Sequence, residues 1–211
     1  MLRHKGWHSR GYLPHFDSPE TVQFVTFRLA DSLPPMAINA RRAEDDSMLR
    51  LDKELDAGIG ACWLSNPEIA GMVQAALLHF NGERYRLLCC CIMPNHVHVV
   101  IEMLSEHTLS AIVKSWKSFT SRQANALLCR AGSFWDADYF DRYMRSEQQL
   151  ERTVEYVENN PVEAGLVDAS EAWRWSSAHD RAQDGARTLR ARSRTHECGP
   201  GGPRSKTMSG A

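Results

Sequence analysis

Two histidines stand at alternating positions after a Pro-Asn turn, in the sequence PNHVHVVI at residues 94–101. On a β-strand, residues two apart point to the same side of the sheet, so His96 and His98 are predicted to project together while Val97 points away. Two imidazoles on one face could bind a divalent metal ion. The alternative is a hydrogen-bonded histidine pair on a half-solvated strand, with no ion.

Tyr156 and Asn160 are four residues apart in a predicted helix and therefore share a helix face. The phenolic oxygen of Tyr156 could attack phosphorus as a nucleophile. The amide oxygen of Asn160 could then bind a metal ion beside the attacked phosphate. The alternative is that Tyr156 is an ordinary core residue and that Asn160 marks the helix end before Pro161.

The elements that would position these residues alternate between strand and helix patterns. Strands are predicted at 22–29, 85–92 and 96–101, with a short strand at 142–145. Helices are predicted at 36–55, 67–80, 108–129 and 146–159, the last ended by Pro161. There is no internal repeat and no linker before residue 180. The pattern predicts one α+β domain, residues 1–180, with an antiparallel sheet.

Composition restricts the function classes. The chain has 211 residues, with 25 Lys and Arg against 26 Asp and Glu, which excludes a uniformly basic protein that coats nucleic acid. Residues 181–211 differ, with seven basic residues against two acidic ones and several Gly and Pro, and are predicted to form a disordered basic tail. Without a long apolar run or a signal-peptide pattern, we expect a cytoplasmic protein that does not bind membranes.

The six cysteines include three in a row at 89–91, and no Cys-x-x-Cys pair occurs. Consecutive residues of a strand point to opposite faces, so the triplet is a poor disulfide framework. We expect small buried apolar side chains in a reducing compartment and no zinc site built on cysteine.

Five stretches resemble REP-associated tyrosine transposases, a group within the single-tyrosine HUH superfamily, in which U is a hydrophobic residue. They are residues 11–34, 93–102, 115–122, 134–145 and 156–167, in the family's order. The most specific of these signals is the combination of the His-x-His motif with the helix that carries YVENNP at 156–161.

The resemblance implies a ferredoxin-like fold and a metal-dependent single-strand DNA endonuclease and strand-transferase. It implies that His96 and His98 bind the divalent cation, Mg²⁺ or Mn²⁺, with Asn160 as third ligand. Tyr156 would be the nucleophile that forms a 5′-phosphotyrosine. The implied partner is single-stranded or hairpin DNA from palindromic repeats, and we expect a monomer, with a dimer as the alternative.

Four basic residues are candidates for phosphate contacts. Lys114 and Lys117 lie on the polar side of the predicted helix 108–129, and Arg142 and Arg145 precede the helix of Tyr156. Aromatic side chains between 116 and 140 could also stack on unpaired bases, although we expect most of them to be core.

Three other functions remain open on the sequence. A rolling-circle or conjugation nickase would share the His-x-His and tyrosine site. A catalytically inactive protein could bind the hairpin only. A zinc-dependent hydrolase would use the histidines and leave Tyr156 in the core.

Overall fold

The structure is a computed structural model that describes residues 6–9, 14–18, 20–33, 55–104 and 107–184. A small antiparallel hairpin comes first, formed by β1 (Gly6–Ser9) and β2 (Pro14–Asp17). The main sheet has four strands: β3 (Val22–Arg28), β4 (Tyr85–Ile92), β5 (His96–Met103) and β6 (Phe140–Tyr143).

The strand order in the main sheet is β4-β5-β3-β6, and every neighbouring pair is antiparallel. The strands β4 and β5 form a hairpin, whereas β3 and β6 reach the sheet from distant parts of the chain. This is the order of a ferredoxin-like sheet, so the predicted α+β fold is confirmed. The central strands β5 and β3 are buried along most of their length, as expected for a sheet covered on both faces.

One face of the sheet is covered by α1 (Pro67–His79) and α2 (Leu109–Leu127). Each helix starts at a side-chain cap: Asn66 accepts from the amide of Glu68, and Thr108 accepts from the amide of Ala111. Their apolar residues pack on the strand residues of one parity, which include Val97, Val99 and Ile101 of β5. We call this side the α1/α2 face.

The opposite face is covered by α3 (Glu147–Glu163), which begins at the cap Ser146. Its apolar side packs on strand residues of the other parity, including Phe24, Cys89 and Val100. We call this side the α3 face. Because His96 and His98 share the parity of Val100, the strand alternation points both imidazoles toward α3.

The prediction that Pro161 ends the helix of Tyr156 is wrong, because α3 continues to Glu163 with Pro161 inside it. A proline inside a helix removes the bond that its own amide would donate, but the residues after it can still donate to earlier carbonyls. The amide of Ala164 then donates to the carbonyl of Asn160, which closes the last turn. Asn160 is therefore a helical residue and not the helix stop.

The other predicted elements agree with the structure to within one or two residues. The last strand begins at Phe140, two residues before the prediction, because its register is set by pairing with β3. The predicted helix 36–55 lies outside the described residues except for its last position. Most of the predicted tail also lies outside them, although residues 177–184 are helical. Cys89, Cys90 and Cys91 are buried free thiols, as predicted.

No helix in the described part of the chain is long and apolar enough to cross a membrane.

Candidate functional site

His96 and His98 meet on the α3 face of β5. Both side chains are fully buried, and their Nε2 atoms are 2.9 Å apart. At this distance one proton fits between the two nitrogens, whereas an ion bonded to both would lie to one side of the line that joins them. The predicted common orientation of this pair therefore holds in the structure.

Neighbouring side chains fix the orientation of each ring. The Nδ1 atom of His96 is 2.8 Å from Oδ1 of Asn95, and Nδ1 of His98 is 2.9 Å from the hydroxyl of Thr26. The amide nitrogen of Asn95 already donates to two backbone carbonyls, so its oxygen faces His96 and accepts the Nδ1 proton. The Nε2 atom of His96 consequently carries a lone pair that is available to a cation.

Both imidazoles are neutral at physiological pH. Burial lowers the pKa of His96 to about 3, and the nearby side chain of Asn160 offsets only part of that effect. Burial also holds the pKa of His98 well below its usual value, with His96 adding to the effect. A histidine binds a metal ion in its neutral form, so this environment suits ligation.

Tyr156 lies over the histidine pair from α3. Its ring centroid is 5.8 Å from that of His98 and 6.3 Å from that of Phe24. Phe24 in turn stacks on His98 at 5.6 Å. Tyr156 is only half-buried, so the tyrosine borders the site without being sealed in the core.

Asn160 lies one helical turn after Tyr156 and is 1% exposed. Neither its amide oxygen nor its amide nitrogen has a hydrogen-bond partner in the protein. Its position beside His96 brings it to the same buried site, although no hydrogen bond of ordinary geometry joins the two. A buried amide without partners costs free energy, typically about 1–3 kcal/mol, unless it serves a ligand.

The residues present fit a divalent cation. Two ligand atoms bonded to one ion at about 2.1 Å lie about 3 Å apart when they are adjacent, and the two Nε2 atoms have this spacing. Among the described residues, no three His, Cys, Asp or Glu side chains are gathered closely enough to identify a metal site without an amide ligand. A cation here would therefore need the amide oxygen of Asn160 in addition to the imidazoles.

Sequence reasoning missed Asp56, which the fold brings to the same place. Its Oδ1 atom is 4.0 Å from Nε2 of His96, and that oxygen is buried without a hydrogen-bond partner. Burial, with the charge of Glu163 adding to it, raises the pKa of Asp56 to about 6. Nothing in the spacing of the sequence pointed to Asp56, because it lies forty residues before His96 and reaches the site through tertiary packing.

Residues 73–160 match the family model for IS200-like transposases, and this span includes His96, His98, Tyr156 and Asn160. A REP-associated tyrosine transposase of Haemophilus influenzae is 24% identical over 105 residues. That match covers 45% of this chain and 60% of the relative, so the chain spans less than two thirds of the relative's length. The resemblance to these transposases is confirmed.

The fold of this transposase-like chain is also that of a solved relative. The structure of a REP-associated tyrosine transposase bound to a REP hairpin superposes with a TM-score of 0.54 at 16% sequence identity. The superposition covers 84% of this chain and 86% of the other.

The four predicted DNA-contact residues fall into two groups on opposite sides of the sheet. Lys114 and Lys117 line an open groove of 390 Å³ beside α2, together with the hydroxyls of Ser110, Ser118 and Ser121. This groove lies on the α1/α2 side, away from Tyr156. Lys114 is exposed, whereas the ammonium of Lys117 donates to the carbonyls of Ala137 and Asp138 at 3.2 and 3.0 Å.

Arg142 and Arg145 form the second group. In the register of β6 with β3, Arg142 lies opposite Phe24 and therefore shares the α3 face with the histidine pair. Arg145 follows β6, is exposed, and lies over the ring of Tyr143 at 5.0 Å.

The aromatic candidates differ in burial, and Phe140 is half-buried on the α3 face. Trp116, Trp135 and Tyr139 are buried core residues, whereas Phe119 is 42% exposed.

Proposed function

We propose that the chain is a metal-dependent single-strand DNA endonuclease and strand-transferase that acts on repeat hairpins through a 5′-phosphotyrosine. The observation that carries this proposal is the convergence of two elements on one buried site. Strand β5 contributes two neutral imidazoles with Nε2 atoms 2.9 Å apart, and α3 contributes Tyr156 over them. The family match over residues 73–160 supports the same reaction class.

The histidines and Asn160 would hold the cation, Mg²⁺ or Mn²⁺. When bound, the ion would supply Lewis acidity toward a phosphate oxygen and neutralise the charge that develops there. The protein's own contribution is to keep the imidazoles neutral by burial and to fix their rings through Asn95 and Thr26.

Tyr156 performs the covalent step. Its phenolic oxygen loses its proton to solvent and attacks phosphorus, and the bond from phosphorus to the 3′ oxygen of the leaving strand breaks. The leaving oxygen takes up a proton and becomes a 3′-OH, while the 5′ side stays attached to the tyrosine as a phosphodiester. Because the number of phosphodiester bonds is unchanged, a later attack by a 3′-OH can rejoin strands and release the tyrosine without an external energy source.

The decisive experiment mixes the full chain with a repeat-hairpin oligonucleotide and Mn²⁺ and separates the products by denaturing electrophoresis. Wild-type protein should give a covalent protein–DNA adduct and a nicked strand. Tyr156→Phe removes only the hydroxyl oxygen, so hairpin binding should survive while adduct and nick both fall at least a thousandfold. Tyr85→Phe is the matched control, because that ring is buried in the core of the opposite face and does not line the groove beside α2, and it should nick normally.

Each alternative function has its own outcome in this experiment. A hydrolase with a structural tyrosine would nick the strand in the Tyr156→Phe variant and never form an adduct. A binding protein without catalysis would retain the hairpin in a native gel and cut nothing. Cleavage of a single-stranded origin without a hairpin would favour the rolling-circle class.

We propose that the two basic groups contact different parts of the DNA. Arg142 and Arg145 would hold the strand to be cut, because Arg142 shares the face of Tyr156. The groove with Lys114 would hold phosphates of the hairpin stem, since its lining includes serine hydroxyls and lysine ammonium groups of the kind that contacts phosphate. Lys117 has two of its three donors occupied and would contribute less.

Salt titration separates these roles. Lys114→Gln should lower hairpin affinity and reduce the steepness of its salt dependence by about one counterion. Arg142→Gln should reduce binding of a single-stranded oligonucleotide more than that of a fully paired stem. The assignment fails if Lys114→Gln leaves the salt slope of hairpin binding unchanged.

A further inference from the structure

The candidate metal site contains one more buried oxygen than its three predicted ligands account for. Oδ1 of Asp56 is buried without a hydrogen-bond partner, as is the whole amide of Asn160. The same oxygen is 4.0 Å from Nε2 of His96. The Asp56 side chain as a whole is 18% exposed, so only one of its oxygens is turned into the protein at this position.

The separation of 4.0 Å between Asp56 Oδ1 and His96 Nε2 is too long for a hydrogen bond. It does match the spacing of two ligands on one ion. With bonds of about 2.1 Å, ligand atoms around an octahedral ion are separated by about 3 Å when adjacent and about 4.2 Å when opposite. The two histidine nitrogens have the first spacing, and Asp56 with His96 is close to the second.

The turn that carries Asp56 is fastened directly to the histidine motif. The amide nitrogen of Asn95 donates to the carbonyls of Leu55 and Ile59 at 2.8 and 3.2 Å, while its oxygen accepts from His96. One side chain therefore positions both the first histidine and the turn at 55–59. Leu55 is 1% exposed and anchors the turn, and the amide of Gly58 closes it by donating to the carbonyl of Leu55.

We infer that Asp56 is a further ligand of the divalent cation, joining His96, His98 and Asn160. This inference rests on the proposed function, because it concerns the same ion. Asp56 would bind the ion in addition to Asn160 and would not replace it. The chemical consequence is large, because two imidazoles and an amide bring no negative charge to the ion.

A carboxylate at this site would let the protein bind the cation before DNA supplies its phosphates. It would also move the preference of the site from metals that favour nitrogen ligands toward hard cations such as Mg²⁺ and Mn²⁺. Without Asp56, the set is rich in nitrogen and suits Zn²⁺ better.

The test measures Mn²⁺ binding to the full chain in the absence of DNA, by titration calorimetry and by the electron paramagnetic resonance signal of free Mn²⁺. Asp56→Asn should weaken Mn²⁺ affinity at least tenfold and raise the ratio of Zn²⁺ to Mn²⁺ affinity. Asp56→Ala should behave alike. Both variants should fold, because the turn is held by backbone carbonyls and Leu55, and thermal melting checks this.

Glu163→Gln is the matched control. Glu163 is exposed and acts on Asp56 only through its charge, so its loss should change Mn²⁺ affinity less than twofold. The inference is overturned if Asp56→Asn binds Mn²⁺ within twofold of wild type, or if Glu163→Gln weakens binding as much as Asp56→Asn.

His98→Ala distinguishes an error in the assignment of Asp56 from an error in the metal site itself. If His98→Ala abolishes Mn²⁺ binding and Asp56→Asn leaves it intact, the cation site stands and Asp56 is not a ligand. If neither variant changes Mn²⁺ binding, the metal site of the proposed function is itself wrong.

Discussion

The two faces of the sheet differ in how completely their buried polar side chains are satisfied. On the α1/α2 face, the indole of Trp116 donates to the hydroxyl of Tyr85, which donates to the carbonyl of Leu77. The indole of Trp135 likewise donates to Thr120. On the α3 face, both amide atoms of Asn160 lack a partner.

Even a buried charge is satisfied on the α1/α2 face. His15 is fully buried, stacks on Tyr139, and pairs with the carboxylates of Asp141 and Asp138. Asp141 lies opposite Val25 in the register of β6 with β3, which places it on this side of the sheet. Gln23 and Asn125 on the α1/α2 side each leave one oxygen unpartnered, but their amide nitrogens still donate to backbone carbonyls. Among the described residues, an amide without a partner at either atom is therefore a local property of the α3 site.

The strongest effect that we predict comes from the buried charge of His15 on the α1/α2 face. Burial alone would lower the pKa of His15, but the hydrogen bonds and charges of Asp138 and Asp141 raise it to about 9. The folded state therefore holds a proton that the unfolded chain releases above its ordinary pKa of about 6.5. The stabilisation is full below pH 6.5 and is lost as pH rises toward 9.

Between pH 6.5 and 8 the loss attributable to His15 should be about 2 kcal/mol of unfolding free energy. The measurement is urea unfolding at several pH values for wild type and His15→Gln, compared as a difference. Lys117 lies near Asp138, and burial lowers its pKa to about 8, so its own contribution rises with pH and opposes that of His15 at higher pH. Subtracting the unfolding free energy of His15→Gln from that of wild type at each pH removes the contribution of Lys117. A difference that is flat across this range would show that the His15 charge is not paired in solution.

How much of this site is readable in the sequence depends on how local the geometry is. The common face of His96 and His98 follows from strand alternation, and the pairing of Tyr156 with Asn160 follows from helix periodicity. Both depend on residues within five positions of one another, and both arrangements are present in the structure. The ferredoxin-like arrangement came from the family resemblance and not from periodicity.

Features that depend on contacts between residues far apart in the sequence could not be predicted from it. Asp56 reaches His96 only because Asn95 binds the backbone of its turn, and no spacing rule links residues forty positions apart. The start of β6 at Phe140 is set by its partner strand β3, whereas the local pattern placed it two residues later. Burial of Trp116 and exposure of Phe119, three residues apart on α2, likewise depend on which helix face meets the sheet.

A weaker effect on stability is predicted for Asn160, whose amide lacks partners on the α3 face. If its amide is buried without partners to serve a cation, the apolar substitution Asn160→Leu should stabilise the fold while it weakens the site. Removing an unpartnered polar group should raise the unfolding free energy by about 1 kcal/mol, equivalent to about 2–4 °C in Tm for a domain of this size. Mn²⁺ affinity should fall at least tenfold in the same variant.

Asn125→Leu provides the contrast for this prediction. Asn125 also leaves its amide oxygen without a partner, but its nitrogen donates to the carbonyl of Gly132 at 2.9 Å after α2. Losing that bond should lower stability by about 1 kcal/mol, so the two asparagines should change Tm in opposite directions. Thermal melting of both variants without metal decides the matter. If Asn160→Leu destabilises the protein as much as Asn125→Leu does, the Asn160 amide has a structural partner. The α3 face would then satisfy its polar groups in the same way as the α1/α2 face.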